Sequence, residues 1–66
     1  MMSVVKVSEL VGSSDENWTE AVNNAVLEAS KNSDDILGVE VTNFTASIEN
    51  GRVVEYRANI KIASHF

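Results

Sequence analysis

The 66-residue chain has no cysteine and a single histidine, His65. The first absence excludes disulfides and thiolate metal sites. The second leaves too few imidazoles for a zinc centre. Basic residues are also few: five Lys and Arg stand against ten Asp and Glu, a net charge of −5. Such a chain lacks the basic surface that a phosphate backbone requires, which argues against nucleic acid as a partner. No apolar run is long enough to span a membrane. Residues 1–7 lack the basic-then-apolar layout of a secretory signal, so the expected location is the cytoplasm. No linker, repeat or low-complexity tract divides the chain, and one domain is expected over residues 1–66. Catalytic signatures are missing too. There is no Cys nucleophile, no Ser-His-acid constellation and no glycine-rich phosphate loop, which points to a binding protein rather than an enzyme. His65, next to the last residue, reads as a frayed tail.

A domain this small buries a modest share of its surface and is marginal alone. With disulfides and zinc excluded, association of copies is the remaining route to stability, and a homo-oligomer is expected.

What is present is a regular alternation of elements. Residues 4–11 are β-branched and apolar and read as a first strand, broken by Gly12. Ser13 and Glu16 have capping-box spacing, and Asp15 and Glu16 suit the positive end of a helix dipole, so a helix is predicted over 15–31. Trp18, Ala21, Val22, Ala25, Val26 and Ala29 recur at three- and four-residue steps and form one apolar stripe. Trp18 is its expected core or interface anchor. Lys31 lies near the helix end that favours a cation.

Residues 37–62 read as a long hairpin. Asn50-Gly51 is a type I′ turn signal, because both turn residues need positive φ. That turn pairs Glu49 with Arg52. Counting back sets Thr45 opposite Tyr56, Phe44 opposite Arg57, Val41 opposite Ile60, Glu40 opposite Lys61 and Val39 opposite Ile62. One face then carries Leu37, Val39, Val41, Val54, Tyr56, Ala58, Ile60 and Ile62, to be covered by the helix. The opposite face carries Lys6, Ser8, Gly38, Glu40, Phe44, Ile48, Val53 and Arg57. Phe44, Ile48 and Val53 would form an exposed apolar patch there and are the expected subunit contact. The third strand fits best between the first two. The predicted class is α+β: a β-α-β-β subunit with a three-stranded antiparallel sheet packed on one helix.

Three segments together resemble the dodecin family. Glu9-Leu10-Val11-Gly12-Ser13-Ser14-Asp15-Glu16 is similar to the family's strand end and helix start. Val39-Glu40-Val41 resembles its aromatic-x-Glu-Val segment. Glu55-Tyr56-Arg57, followed by alternating apolar residues, resembles its Tyr-Gln run. The resemblance spans nearly the whole chain. It implies twelve subunits in a hollow cubic shell that binds flavins, riboflavin or FMN, as stacked pairs, acting as a store and not an enzyme. In the family a tryptophan sandwiches the isoalloxazine and a glutamine hydrogen-bonds its polar edge. Those positions are Gly38 and Arg57 here, so flavin binding is expected to be weakened or lost. Arginine can donate but not accept a hydrogen bond. Lys6 could draw an anionic group to the same site. The resemblance is closer to a subgroup described as calcium-binding.

The acidic residues of the helix and its flanks, Asp15 and Glu16 foremost, with Glu20, Glu28, Asp34 and Asp35, supply hard oxygen donors without EF-hand spacing. A solvated acidic face is the preferred explanation of them. A structural shell with no specific ligand is the third reading.

Overall fold

The computed structural model describes residues 4–32 and 35–65. Asp34, an expected oxygen donor, lies outside them. Strand β1 spans Val5–Ser14, helix α1 Trp18–Ser30, strand β2 Ile36–Glu49 and strand β3 Arg52–His65. The crossover through α1 returns the chain parallel to β1, so β3 lies between β1 and β2 and bonds antiparallel to both. This is the expected α+β subunit, drawn out to 55 × 19 × 13 Å by the long hairpin. No helix among the described residues is long and apolar enough to cross a membrane.

Gly12 does not break β1. It pairs with Ala58, and the strand runs on to Ser14. A Cβ at Gly12 would lie 2.0 Å from the Ala21 carbonyl oxygen and 2.8 Å from the Ala25 Cβ. The glycine therefore serves close approach of α1 to the strand rather than a turn. Ala21 and Ala25 are buried at this crossing, and the core continues through Ala58, Ile60 and Ile62.

The helix begins later than the sequence pattern indicates. Ser13 is engaged in the sheet opposite Arg57, and its carbonyl accepts a 2.9 Å bond from the Asn24 amide. Ser14 Oγ accepts the Glu16 N–H at 2.9 Å and shapes a bend instead of a cap. Asn17, with extended backbone, is the N-cap, and its Oδ1 accepts the Glu20 N–H at 2.7 Å. At the other end Lys31 is the C-cap and its ammonium reaches Glu28 at 3.3 Å.

The hairpin turn is as expected, with Asn50 at φ 54° and Gly51 at φ 74°. The register is not uniform, however. Val54 is an extra residue on β3, between the Ile48–Val53 and Ser47–Glu55 pairs. Thr42 is a compensating extra residue on β2, between the Asn43–Asn59 and Val41–Ile60 pairs. Outside these bulges the expected pairs Glu49–Arg52, Val41–Ile60, Glu40–Lys61 and Val39–Ile62 all form. Between them the pairing is shifted by one residue: Thr45 faces Arg57, Ala46 faces Tyr56, and Phe44 faces Ala58.

A one-residue shift exchanges the faces of a strand. Phe44 thus turns to the α1 side, where its ring meets Trp18 at a centroid distance of 5.9 Å. Alternation carries Ile48, and its partner Val53, to that side as well. The expected placement of these three on the face away from the helix is corrected, although all three are exposed as anticipated. Lys6 and Ser8 also change sides. They pair with Ser64 and Ile62 and share the alternation of Leu10 and Gly12, which puts them beneath the helix. The outward face of β1 carries Val5, Val7, Glu9 and Val11 instead.

Helix α1 lies over β1 and β3 and scarcely reaches β2. Ile60 is 1 % exposed, whereas Leu37 and Val39 on β2 are exposed, as is Val54. The helix is therefore a partial cover for the face it was expected to seal. His65 is no frayed tail: it pairs with Val5, and its N–H bonds the Asp35 carbonyl at 3.1 Å.

Candidate ligand-binding face

The outward face of the sheet is ordered in rows across β1, β3 and β2. Ser13, Arg57 and Thr45 make one row; Val11, Asn59 and Asn43 the next; then Glu9, Lys61 and Glu40; then Val7, Ala63 and Gly38. Gly38 is the open end of this face. Among the described residues, no atom beyond its own chain neighbours lies within 4 Å of the position a Cβ would take there. With Ala63 and Val7 beside it, the spot is a shallow apolar floor with no ring to stack on.

Arg57 is the polar end. Its guanidinium donates to Glu55, the next outward residue on β3, and at 2.8 Å to Ser47 Oγ of β2. One row further along, the Asn59 amide donates to Asn43 Oδ1. The bonds to Glu55 along β3 and to Ser47 across to β2 tether the arginine to the sheet. Its remaining N–H groups can recognise an acceptor, but it offers no acceptor of its own.

The strands do not bring Gly38 and Arg57 together within one chain. Gly38 pairs with Ala63, six positions along β3 from Arg57, which is about 20 Å at the usual rise of a strand. Lys6 is on the other side of the sheet from both. The three ligand candidates thus lie in three places on one subunit.

Asp15 and Glu16 occupy the bend between β1 and α1, where they line an open hollow of about 450 Å³ with Glu20 and Glu55 among its other walls. Among the described residues no three His, Cys, Asp or Glu side chains are grouped closely enough to hold a metal ion.

One cluster escaped the sequence reading. Trp18 meets Tyr56 edge-on at 4.9 Å and Phe44 at 5.9 Å, and its indole N–H donates to the Thr45 carbonyl at 3.0 Å. Three of the chain's four aromatic residues therefore converge where α1 begins. No periodicity could have disclosed this, because the side on which Phe44 lies depends on the two bulges. Trp18 remains 40 % exposed, an anchor at the border of the core.

Comparison with known proteins agrees with this architecture. The dodecin sequence profile matches residues 4–66. The dodecin of Streptomyces coelicolor shares 31% identity and superposes with a TM-score of 0.93, over 97% of this chain and 91% of that one. A variant of the Thermus thermophilus dodecin shares 28% identity with a TM-score of 0.94, over 98% and 97%. The Streptomyces davaonensis dodecin has the same fold at 20% identity and a TM-score of 0.91, over 97% of this chain and 94% of that one. No curated protein matches the sequence. With the profile covering all but the first three residues and the fold reproduced from end to end, the chain belongs to the dodecin family.

Proposed function

We propose that this chain is one subunit of a cytoplasmic homododecamer that binds or stores a small ligand, is not an enzyme, and has a weakened or lost flavin mode. Dodecins are homo-oligomers, typically of twelve subunits, and are flavin-binding rather than catalytic. The exposed apolar side chains on both faces, Phe44, Ile48 and Val53 on one and Val5, Val7 and Val11 on the other, support association. Of these, the first three remain our candidates for the subunit contact.

The observation that carries the ligand reading is the empty space over Gly38. A stacked flavin needs an aromatic surface, and Gly38, Ala63 and Val7 provide none. The amide that would both donate to and accept from the flavin edge is replaced by Arg57, already engaged by Glu55 and Ser47. These residues do not fit a stacked flavin pair. A ligand on this face would be held by Gly38 of one copy and Arg57 of another, given their separation along the sheet. Arg57 would suit an anionic group on it.

A second reading is calcium or another cation at Asp15 and Glu16. It is favoured by the acidic walls of the hollow they share with Glu20 and Glu55. Since these do not converge within a chain, further carboxylates would have to come from neighbouring copies, as a closed symmetric shell permits. Titration of the purified assembly with FMN, followed by flavin fluorescence, and with calcium, followed by calorimetry, separates the readings. Weak or absent flavin quenching is expected. Stoichiometric tight flavin binding would overturn the reading of Gly38 and Arg57, and silence with both would leave a shell without a specific ligand.

A further inference from the structure

We infer that the space beneath the C-terminal end of α1 is a second ligand site, on the helix side of the sheet, that takes a small organic anion with an apolar body. A hollow of about 480 Å³ opens there between the last turn of the helix and the ends of β1 and β3. Its floor is apolar, formed by Leu10, Ala29 and Ile62. Around that floor stand residues whose side chains carry donors: Lys6, Asn32, Ser8 and Ser64. An apolar floor with a few convergent polar groups is the usual form of a small-molecule site.

Charge selects the ligand class. Ten of the 66 residues are acidic, yet among the described residues no carboxylate lines this hollow. Every other basic residue has an acidic neighbour: Lys31 pairs with Glu28, Arg57 with Glu55, Arg52 lies opposite Glu49, and Lys61 is flanked by Glu9 and Glu40. Lys6 lies opposite Ser64, and among the described residues no carboxylate stands in register with it. A lysine beside an apolar floor, with no described carboxylate at hand, favours a carboxylate or phosphate whose carbon body covers that floor. The end of the helix is not an obstacle, because the Glu28 and Ala29 carbonyls are taken up by the N–H groups of Lys31 and Asn32. Alternation puts this hollow on the opposite side of the sheet from Gly38 and Arg57, so it is separate from the outward face.

The test is an amide-resolved NMR titration of the assembled protein with benzoate, with benzamide and inorganic phosphate as single-feature comparisons. Saturable shifts are expected at Ser8, Leu10, Asn32 and Ser64, with benzamide binding at least about fivefold more weakly, since it keeps the ring and loses the charge. Phosphate alone, having no body, is expected to bind more weakly than benzoate. Lys6→Gln should weaken benzoate by about fivefold or more, and Lys61→Gln, on the outward face, by less than about twofold. Lys6 is an exposed side chain, so its replacement leaves the fold intact. No saturable shift at these amides, shifts centred instead on Arg57 and Asn59, or equal affinities for the protein and its Lys6→Gln variant would overturn the assignment.

Discussion

Gly12 of β1 lies so close under Ala21 of α1 that a methyl group at Gly12 would stand 2.0 Å from the Ala21 carbonyl oxygen. That contact fixes where the helix crosses the sheet, and the buried Ala25, Ala58 and Ile60 follow from it. Because the obstructing atom is helix backbone, no side-chain rotation can relieve the clash. Gly12→Ala is expected to destabilise the protein by about 3 kcal/mol, the upper part of the usual range for overpacking. Urea unfolding at fixed chain concentration measures it, and a loss below about 1 kcal/mol would mean that the helix shifts freely.

Trp18 ties the start of α1 to the shifted segment of β2, through its hydrogen bond to Thr45 and its ring contacts with Phe44 and Tyr56. Trp18→Phe keeps an aromatic body and removes the donor, and is expected to lose about 1 kcal/mol. Trp18→Ala removes both and should lose about 3 kcal/mol. Thermal melts of the two variants side by side check the order. Equal losses would mean that the ring contacts contribute nothing.

The turn at Asn50 and Gly51 holds both residues at positive φ. Gly51→Ala and Asn50→Ala each place an alanine in the left-handed region, at a cost of about 1 kcal/mol. At Gly51 no clash adds to this, since a Cβ there would meet nothing within 4 Å among the described residues. Chemical denaturation gives the values, and changes above about 3 kcal/mol would show that the hairpin tip is packed in the assembly.

Gly38 offers space for a ring that the sequence does not provide. The double variant Gly38→Trp with Arg57→Gln is expected to bind FMN at least about tenfold more tightly than the parent, the gain that one aromatic stacking surface typically supplies. Quenching of flavin fluorescence reads it directly. Unchanged affinity would place the determinant of ligand choice somewhere other than the outward face.

The sequence made the element order and much of the hairpin legible, because Asn50-Gly51 has one strongly preferred geometry, and the pair beside it and those from Val41 back to Gly38 keep a single count; a further extra residue, Leu37, breaks it only beyond them. The middle was not legible. Val53 and Val54 are both β-branched, and nothing in their alternation tells which of them drops out of the pairing; Thr42 is equally silent. The helix starts later than its cap signal indicates because Ser13 and Glu16 have cap spacing while the strand, held by Gly12–Ala58 and Ser13–Arg57, runs through that point. Gly38 and Arg57 could be singled out as residues, but their separation within one subunit, and the turn of Lys6 toward the helix, required the pairing of β1 with β3.

The proposed assembly rests on a helix that covers two strands of three and leaves a surface for other copies to cover. Sedimentation equilibrium on the purified protein, carried to low concentration with circular dichroism on the same samples, tests it most directly. The expected result is a folded particle about twelve times the 7.2 kDa chain. A folded species of single-chain mass that persists on dilution would contradict it.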